Sequence, residues 1–549
     1  MKRFLSVGLS LFLSVTLCAQ SASDASVHAS PNAQPLAIDR GAAALWQSLE
    51  KLHTRASLIM VTAHPDDEDG GMLAYESRGQ GARVDLLTLN RGEGGANVMS
   101  ANYFDGLGLV RTEELLAAGR FYGVDQYWTR VVDYGFSKTK AESIAKWTHD
   151  RVLYDVVRVV RMTRPLVVTS VFVGGPTDGH GNHQTAGAMA QEVFKAAGDP
   201  NVFPDQIAAG LRPWTPLKDY ARTPWFGNDD GKLSTNVAVP EGDYAAVLGV
   251  SYVQIAREGL GHQKSQTGGG MVPKPGALSS TYHRFGSVVP AQDKEASFFD
   301  GIDISLAGIA TLAKEGKGDF LRPGLEKVNV LVEGAIADFS ATQPGKTAPK
   351  LAEGWKATEK LIQQVRASQL SEDDKYNITF ELEIKKAQFN NALAQSLGLS
   401  VNATLAPDKE PNPLYALFMG DPETTRVIIP GEKIGVKVHA VSQSSDPVTL
   451  ASLKIQPTDE KDWSIKNPSE TSANVTSNKP VDLRFDLVVP ENVTYTRPYF
   501  SRPDIEQSYY DISDKRYLNL PLAPYPRSFS DLRGPRRPAQ FQSIRRRQG

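Results

Sequence analysis

Short apolar runs alternate with amphipathic stretches along the first half of the chain. Three continuous apolar runs contain β-branched residues, a pattern typical of strands buried on both faces of a sheet: residues 57–63, 84–89 and 165–171. Four stretches carry apolar side chains at helical spacing: residues 70–78, 109–122, 141–162 and 184–197. This alternation predicts an α/β fold with a Rossmann-like, doubly wound, mostly parallel sheet. Ligands of such sheets bind beyond the carboxyl ends of the strands.

The pattern changes beyond about residue 310. Three stretches with helical spacing follow, and residues 402–413 are rich in Pro, Asn and Asp, which indicates a linker. Short β-rich runs punctuated by turn residues come next and resemble a small β-sandwich. We therefore expect three folded regions: an α/β domain at residues 40–310, a helical region at 311–400 and a β-sandwich-like domain at 414–520.

The N-terminal end has the features of a secretory signal peptide at residues 1–19. Lys2 and Arg3 precede an apolar run at residues 4–17, which is too short for a membrane span. Cleavage after Ala19 or Ser21 would leave a flexible leader that ends near residue 39. We expect a secreted or periplasmic protein without a transmembrane helix.

Composition narrows the chemistry. The 549 residues carry 60 basic and 62 acidic side chains, which excludes the strongly basic balance of a general nucleic-acid binder. Seven arginines lie in the tail at residues 527–549, for which a disordered end is the simpler interpretation. The single cysteine, Cys18, excludes a disulfide framework and a cysteine-based zinc site.

Two polar clusters follow two of the predicted strands. HPDDE at residues 64–68 follows the first strand, and HGNH at residues 180–183 follows the third. A histidine after a strand is usually an ordinary loop residue, but two clusters at one sheet edge predict a metal site. His64, Asp67 and His183 around zinc would leave a position for water, as in catalytic zinc sites. Asp66 is placed to accept the proton of that water, and His180 to stabilise an oxyanion or protonate a leaving group.

Several motifs in the first half of the chain resemble one family. AHPDDE at residues 63–68 resembles the hallmark of the PIG-L, or LmbE-like, family of zinc-dependent N-acetylglucosaminylphosphatidylinositol de-N-acetylases. Further runs resemble other family features in the same order: RGEGG at 91–95, RTEEL at 111–115, DYG at 133–135, GHGNH at 179–183 and HQKSQ at 262–266. The resemblance covers about residues 50–270. Nucleotide fingerprints, phosphate loops and nucleophile elbows do not appear in the sequence.

The resemblance implies a role for each matching residue. Zn²⁺ would be held by His64, Asp67 and His183. Asp66 would be the general base and His180 the electrophilic or acid partner, both catalytic. Arg111 and Asp133 match positions that contact sugar hydroxyls, and would bind substrate. One position departs from the family, because Asn182 replaces the usual aspartate before the third ligand, which puts the rate and the pH optimum in question.

These inferences lead to one main hypothesis and two alternatives. The main hypothesis is an exported zinc hydrolase that removes the acetyl group from an N-acetylglucosamine-type sugar or glycoconjugate. A zinc amidase acting on a non-sugar amide is the first alternative, since family motifs specify chemistry better than substrate. A glycan-binding surface protein with a vestigial metal site is the second, and the intact Asp66 argues against it.

Overall fold

The computed structural model describes residues 38–224, 233–266, 272–406 and most of 428–522, with the backbone of residues 11–13. The predicted signal peptide and leader therefore lie almost entirely outside the described residues. The basic tail at 527–549 and the glycine run at 268–270 lie outside them as well.

A seven-stranded mixed sheet forms the centre of the first region. Its strands in chain order are β1 (Ser57–Thr62), β2 (Arg83–Thr88), β3 (Asp125–Trp128), β4 (Val167–Ser170), β5 (Lys218–Arg222), β6 (Val237–Val239) and β7 (Ser280–Ser287). Their order across the sheet is β3-β2-β1-β4-β5-β7-β6, and the first five are parallel. β7 runs antiparallel to both of its neighbours. The prediction of an α/β fold is confirmed, although the sheet is mixed at the β6 side.

Burial explains why the central strands read as continuous apolar runs. All six positions of β1 are buried, because β1 lies between β2 and β4 and helices pack against the sheet. The helices of this region are α2 (Gly70–Ala74), α3 (Asp105–Tyr122), α4 (Lys140–Trp147), α5 (His149–Thr163), α6 (Gly181–Ala196), α7 (Pro204–Ala208) and α8 (Tyr252–Leu260).

Two predicted helices differ from the observed ones. The stretch 141–162 is not one helix, since Thr148 adopts φ +62° and separates α4 from α5. The stretch 70–78 begins as α2 and continues as a π-helix at Tyr75–Gly79. A β-branched residue at positive φ is rare, so spacing alone could not have indicated the break at Thr148.

Three long helices follow, as the spacing predicted: α9 (Arg322–Ala337), α10 (Ala348–Ala367) and α11 (Glu372–Ser396). The early helix α1 (Gly41–His53) packs with them rather than with the central sheet. Leu45 of α1 and Phe389 of α11 belong to one apolar core, which also includes Val438 and Phe485 of the C-terminal sheet. The helical region and the C-terminal sheet therefore share a core.

The C-terminal sheet has four antiparallel strands in the order β8-β9-β11-β10. These strands are β8 (Leu399–Ala406), β9 (Lys433–Ser442), β10 (Ser464–Lys466) and β11 (Val481–Val488). Val448–Leu450 and Ala473–Val475 form a separate two-stranded ladder, and residues 11–13 pair with 455–457. The first part of the predicted linker, residues 402–406, is therefore strand, and the sandwich itself stays a prediction.

Residues 499–522 leave the C-terminal sheet and pack against the first region. Tyr510 and Leu522 are buried with Val132, which lies shortly after β3. The domain at 414–520 stays a prediction, and its last residues contact the first region. In the described part of the chain, no helix combines the length and apolar character needed to cross a membrane.

Candidate metal centre and active site

The two predicted polar clusters meet at one edge of the central sheet. Residues 64–68 follow β1, and His180 and His183 lie at the start of α6, which follows β4. β1 and β4 are neighbouring parallel strands, so their carboxyl ends reach the same edge. We call residues 64–68 and 180–183 the metal half of the site.

His64, Asp67 and His183 offer ligand atoms that all lie within 4.8 Å of one another. Nδ1 of His64 lies 3.1 Å from Oδ2 of Asp67, and Nε2 of His183 lies 3.4 Å from Oδ1 of Asp67. Ligands bound to one tetrahedral zinc at about 2.0–2.1 Å are separated by about 3.4 Å. The donor set of two imidazoles and one carboxylate also fits zinc, so these residues form a possible metal site.

The charges of this cluster suit a cation. Burial lowers the pKa of His64, but the carboxylate of Asp67 outweighs that effect and raises the pKa to about 9. Burial disfavours the charged form of Asp67, yet His183 and His64 together hold its pKa below its ordinary range. Asp67 is therefore an anion beside two imidazoles, and a divalent cation would take the place of the proton on His64.

Two contacts fix the orientation of the His183 ring. Its Nδ1 lies 3.1 Å from the carbonyl oxygen of Asp178, which suits an N–H donor and leaves Nε2 for a metal. The ring of Phe172 stacks on it with centroids 4.2 Å apart. The Asp178 carboxylate in turn accepts from the backbone N–H groups of Val173 and Gly174, which holds this loop in place.

Asp66 lies next to the metal cluster in a strained backbone conformation. Its φ is +87°, which is rare for a residue other than glycine and turns its side chain differently from that of Asp67. The protein packed around Asp66 raises its pKa, and the negative charges of Asp67 and Glu68 raise it further, to about 8. Asp66 is accessible at the mouth of the site, as a general base must be.

Glu68 holds this conformation, a role that the sequence did not reveal. Its Oε2 accepts a hydrogen bond from the backbone N–H of Asp66 at 2.9 Å. Its Oε1 accepts from the hydroxyl of Tyr122 at 2.9 Å and from Nε2 of Gln263 at 2.6 Å. Glu68 and Gln263 both lie in motifs singled out above, yet only the fold shows that they touch.

His180 lies beside the two metal-ligand histidines, with ring centroids 5.1 Å from His64 and 4.9 Å from His183. Burial lowers the pKa of His180, and the charges of the other two histidines lower it further, to about 4. Its Nδ1 accepts a hydrogen bond from the backbone N–H of Asn182 at 3.1 Å, and the backbone nitrogen of Ser137 lies 3.4 Å from its Nε2. The shorter contact favours Nδ1 as the acceptor, which places the hydrogen on Nε2. His180 is therefore a neutral imidazole near pH 7, suited to donating a hydrogen bond.

Asn182 is fully buried beneath the cluster. Its Oδ1 accepts from the Ser143 hydroxyl at 2.8 Å, and its Nδ2 lies 3.3 Å from Nε2 of His64 and 3.4 Å from Oδ1 of Asp133. An amide can turn either a donor or an acceptor toward His64, which a carboxylate cannot. Asn182 thus connects the metal cluster to Asp133 without adding charge.

A second pair of loops, residues 91–96 and 133–135, faces the metal half, and we call it the substrate half. The two loops approach closely, since a Cβ on Gly94 would lie 2.2 Å from the backbone nitrogen of Gly135. Oε2 of Glu93 accepts from the backbone N–H groups of Arg91 and Asp133, each at 3.0 Å. One buried carboxylate therefore ties the two loops together.

Arg111 and Asp133, which the resemblance assigned to substrate, are both buried. Arg111 is 1% exposed, and its guanidinium donates to the carbonyl oxygens of Gly92 and Ala96 and to the hydroxyl of Ser265. The N–H groups of Arg111 thus hold the 91–96 loop, while its positive charge lowers the pKa of Asp66. Direct contact of Arg111 or Asp133 with a sugar stays a prediction.

The comparison with protein families agrees with this geometry. Residues 59–194 match the model of the PIG-L family, described as GlcNAc-PI de-N-acetylase. Residues 59–194 form a PIG-L family domain. The resemblance inferred from the motifs is therefore confirmed, and the PIG-L domain contains every residue proposed above as metal ligand, base or hydrogen-bond donor.

Two curated relatives match part of the chain. A 1D-myo-inositol 2-acetamido-2-deoxy-alpha-D-glucopyranoside deacetylase of Kineococcus radiotolerans is 32% identical over 239 residues, which cover 37% of this chain and 66% of the relative. A "Probable N-acetylglucosaminyl-phosphatidylinositol de-N-acetylase" of Schizosaccharomyces pombe is 29% identical over 151 residues, which cover 27% of this chain and 55% of the relative. The chain thus spans between about half and two thirds of these relatives.

Two solved structures show a weaker likeness. One is an N,N'-diacetylchitobiose deacetylase from Pyrococcus horikoshii, with TM-score 0.30 and 17% identity, covering 39% of this chain and 71% of that one. The other is GalB, the 4-carboxy-2-hydroxymuconate hydratase of Pseudomonas putida KT2440, with TM-score 0.30 and 17% identity, covering 43% and 99%.

The PIG-L domain does not contain all the residues that shape the site. Gln263, which supports Glu68, and Ser265, which binds Arg111, both lie beyond residue 194. The HQKSQ run at 262–266 was the sequence signal for both residues. Tyr510, which contacts the substrate half, belongs to no motif, so sequence reasoning missed it.

Proposed function

We propose that this chain is a zinc-dependent hydrolase that removes the acetyl group from an N-acetylglucosamine-type sugar or glycoconjugate. The observation that carries the proposal is the arrangement of His64, Asp67 and His183 as one donor cluster, with Asp66 and His180 beside it. The names of the two curated relatives both describe deacetylation of a glucosamine derivative, which supports the choice of substrate.

Zinc held by His64, Asp67 and His183 would supply Lewis-acid activation of a water and of the amide carbonyl. Asp66 accepts the proton of the attacking water as its oxygen bonds to the acetyl carbon. His180, as a neutral imidazole, donates a hydrogen bond from Nε2 to the carbonyl oxygen while negative charge develops there. The proton held by Asp66 then passes to the departing nitrogen as the C–N bond breaks, which releases acetate and the free amine.

The substrate half is proposed to hold the sugar. Asp133 lies within 3.4 Å of Asn182, so the loop that carries it is adjacent to the metal cluster. Phe136, which is 73% exposed, lies edge-on to His180 with ring centroids 5.0 Å apart. An exposed aromatic beside a catalytic imidazole provides a surface on which a sugar ring can stack. Export belongs to the proposal as well, and only the basic start and apolar run of residues 2–17 support it.

Acetate release by the purified full-length protein tests this proposal. The panel contains N-acetylglucosamine, its glycosides and N-acetylated amino acids, each with native protein, chelator-treated protein and treated protein resupplied with zinc. We expect release from the sugars, its loss with chelator and its return with zinc. Release from the amino acids alone would favour the non-sugar amidase. No release from any compound, with zinc bound, would refute the proposal.

A further inference from the structure

The C-terminal segment at residues 499–522 lies outside the PIG-L domain but packs directly against the substrate half. The backbone N–H of Tyr510 donates to the carbonyl oxygen of Arg130 at 2.8 Å, and the N–H of Val132 donates to that of Ser508 at 2.9 Å. Val131 and Tyr509 form an antiparallel bridge between these two bonds. The three residues immediately before Asp133 are therefore paired like a strand with this segment.

The same segment encloses Arg91, which begins the other loop of the substrate half. The guanidinium of Arg91 lies 5.5 Å from the ring centroid of Trp128 and 5.5 Å from that of Tyr510. It donates to the carbonyl oxygens of Thr129 at 3.1 Å and Leu520 at 3.3 Å. This cation is almost fully buried, and Tyr510 and Leu520 supply two of its four contacts.

Glu93 links Arg91 to Asp133, because its carboxylate accepts hydrogen bonds from the backbone N–H groups of both residues. Asp105, the first residue of α3, provides a second attachment. Its Oδ1 accepts from the Tyr510 hydroxyl at 2.9 Å and from the Arg502 guanidinium at 2.6 Å. The segment thus contacts residues 130–132, the start of the 91–96 loop and the first residue of the helix that carries Arg111.

We propose that Tyr510 is a positioning residue, through which the C-terminal segment holds Asp133 and the 91–96 loop in the geometry that binds substrate. The assignment of Asp133 to substrate rests on the proposed function. The positions of the metal ligands do not depend on the segment, since their described contacts come from residues 64–67, 172–183 and their neighbours. Loss of Tyr510 should therefore weaken substrate binding without releasing the metal.

Three full-length variants test this role: Tyr510→Ala, Tyr510→Phe and the control Ile505→Ala. Ile505 lies in the same segment but is 55% exposed. Tyr510→Ala removes the ring over Arg91, and we expect KM to rise about tenfold or more, since small misplacements of binding groups are costly. Metal content should stay that of the native protein and kcat should change by less than about threefold. Tyr510→Phe keeps the ring and loses only the bond to Asp105, so it should restore most of the loss.

Hydrogen exchange provides a readout that needs neither turnover nor full stability of the alanine variant. In the Tyr510→Phe variant combined with Arg502→Gln, the amides of Val132 and Asp133 should exchange faster, and those of β1 should not. Unchanged KM and unchanged exchange at these amides would overturn the proposal. A fall in kcat and metal content with constant KM would also overturn it, since the segment would then support the metal half. A native protein without deacetylase activity would refute the proposed function, and exchange would still decide the role of Tyr510.

Discussion

The metal half and the substrate half of the site are held in place differently. The three side chains proposed as metal ligands contact one another, and their other partners, such as Asp178 for His183 and Asn182 for His64, lie within the PIG-L domain. Arg91, in contrast, is enclosed by Tyr510 and Leu520, and Arg111 is bound to Ser265. All of these partners lie beyond the PIG-L domain.

Because the two halves are supported by different segments, effects on the chemical step can be separated from effects on substrate binding. All three residues proposed as ligands in the metal half lie in the PIG-L domain. The substrate half depends on segments that the domain does not contain, and these can differ without disturbing the ligands. Variants of the metal half should therefore change metal content or kcat, whereas variants of the substrate half should change KM.

The largest effect is expected from His183→Ala. Removing one of three ligands should lower zinc affinity by more than the roughly 10–100-fold that loss of an outer partner causes, and turnover should be lost with the metal. Mass spectrometry of the metal content after dialysis against a weak chelator measures this. His149→Ala is the control, since His149 is partly exposed and paired with Asp150 and Glu192. Full zinc occupancy in His183→Ala would show that His183 is not a ligand.

Asp66→Asn separates the base from the ligands. Zinc should stay bound, while kcat should fall by about 10²–10⁴-fold, the usual contribution of a general base. A base works only when deprotonated, so native activity should rise with pH through the pKa of Asp66. That pKa is raised to about 8 without a cation, and a bound cation lowers it, so the acidic limb should lie below pH 8. The limb should flatten in the variant, and loss of zinc there would contradict these separate roles.

Glu68→Gln should have a smaller effect on kcat, of about 10–100-fold, with zinc retained. Three donors converge on the Glu68 carboxylate, and an amide would turn its NH₂ group against one of them. Asp66 would then lose its fixed orientation. Glu76→Gln is the matched control, because Glu76 is a buried glutamate whose Oε2 has no hydrogen-bond partner among the described residues. Equal losses in the two variants would mean that burial of the carboxylate, rather than its contact with Asp66, is responsible.

Asn182→Asp should have the smallest effect, a change in kcat of less than about tenfold at pH 7. A carboxylate there adds negative charge 3.4 Å from Asp133 and beside the histidine cluster. Such a charge raises the pKa of neighbouring bases, and one pKa unit corresponds to about a tenfold change in protonation. The acidic limb of the pH–rate profile should therefore move to higher pH. A shift toward lower pH would contradict the proposed proximity of Asn182 to the base and the histidines.

Local sequence signals predicted the metal half because its geometry follows from one rule of sheet topology. HPDDE follows one apolar run, and HGNH follows another. Neighbouring parallel strands bring their carboxyl ends to the same edge of a sheet. Charge alone could not identify the proposed metal ligands among the six His, Asp and Glu residues of the two clusters. The resemblance to the PIG-L family separated Asp66 from Asp67. The fold adds the physical difference, since Asp66 has positive φ and Asp67 lies between two imidazoles.

The substrate half could not be predicted in the same way. The resemblance assigned Arg111 to substrate, which stays a prediction; only the fold shows that Arg111 is buried and donates to loop carbonyls. Tyr510 lies in a segment without periodicity, and its pairing with Arg130 is set by tertiary packing. The core shared by α1, the three long helices and the C-terminal sheet could not be predicted either, because it also depends on tertiary packing.

The contact between Tyr510 and the strand before Asp133 determines when the site can be completed during synthesis. Tyr510 follows Asp133 by roughly 380 residues, so a ribosome adding about 5–20 residues per second makes it about 20–75 s later. All three residues proposed as metal ligands are made before residue 184, and they can meet during that interval. A chain that stops before residue 499 would therefore hold metal but lack the support of its substrate loops. The two halves of the site are therefore completed at different times during synthesis.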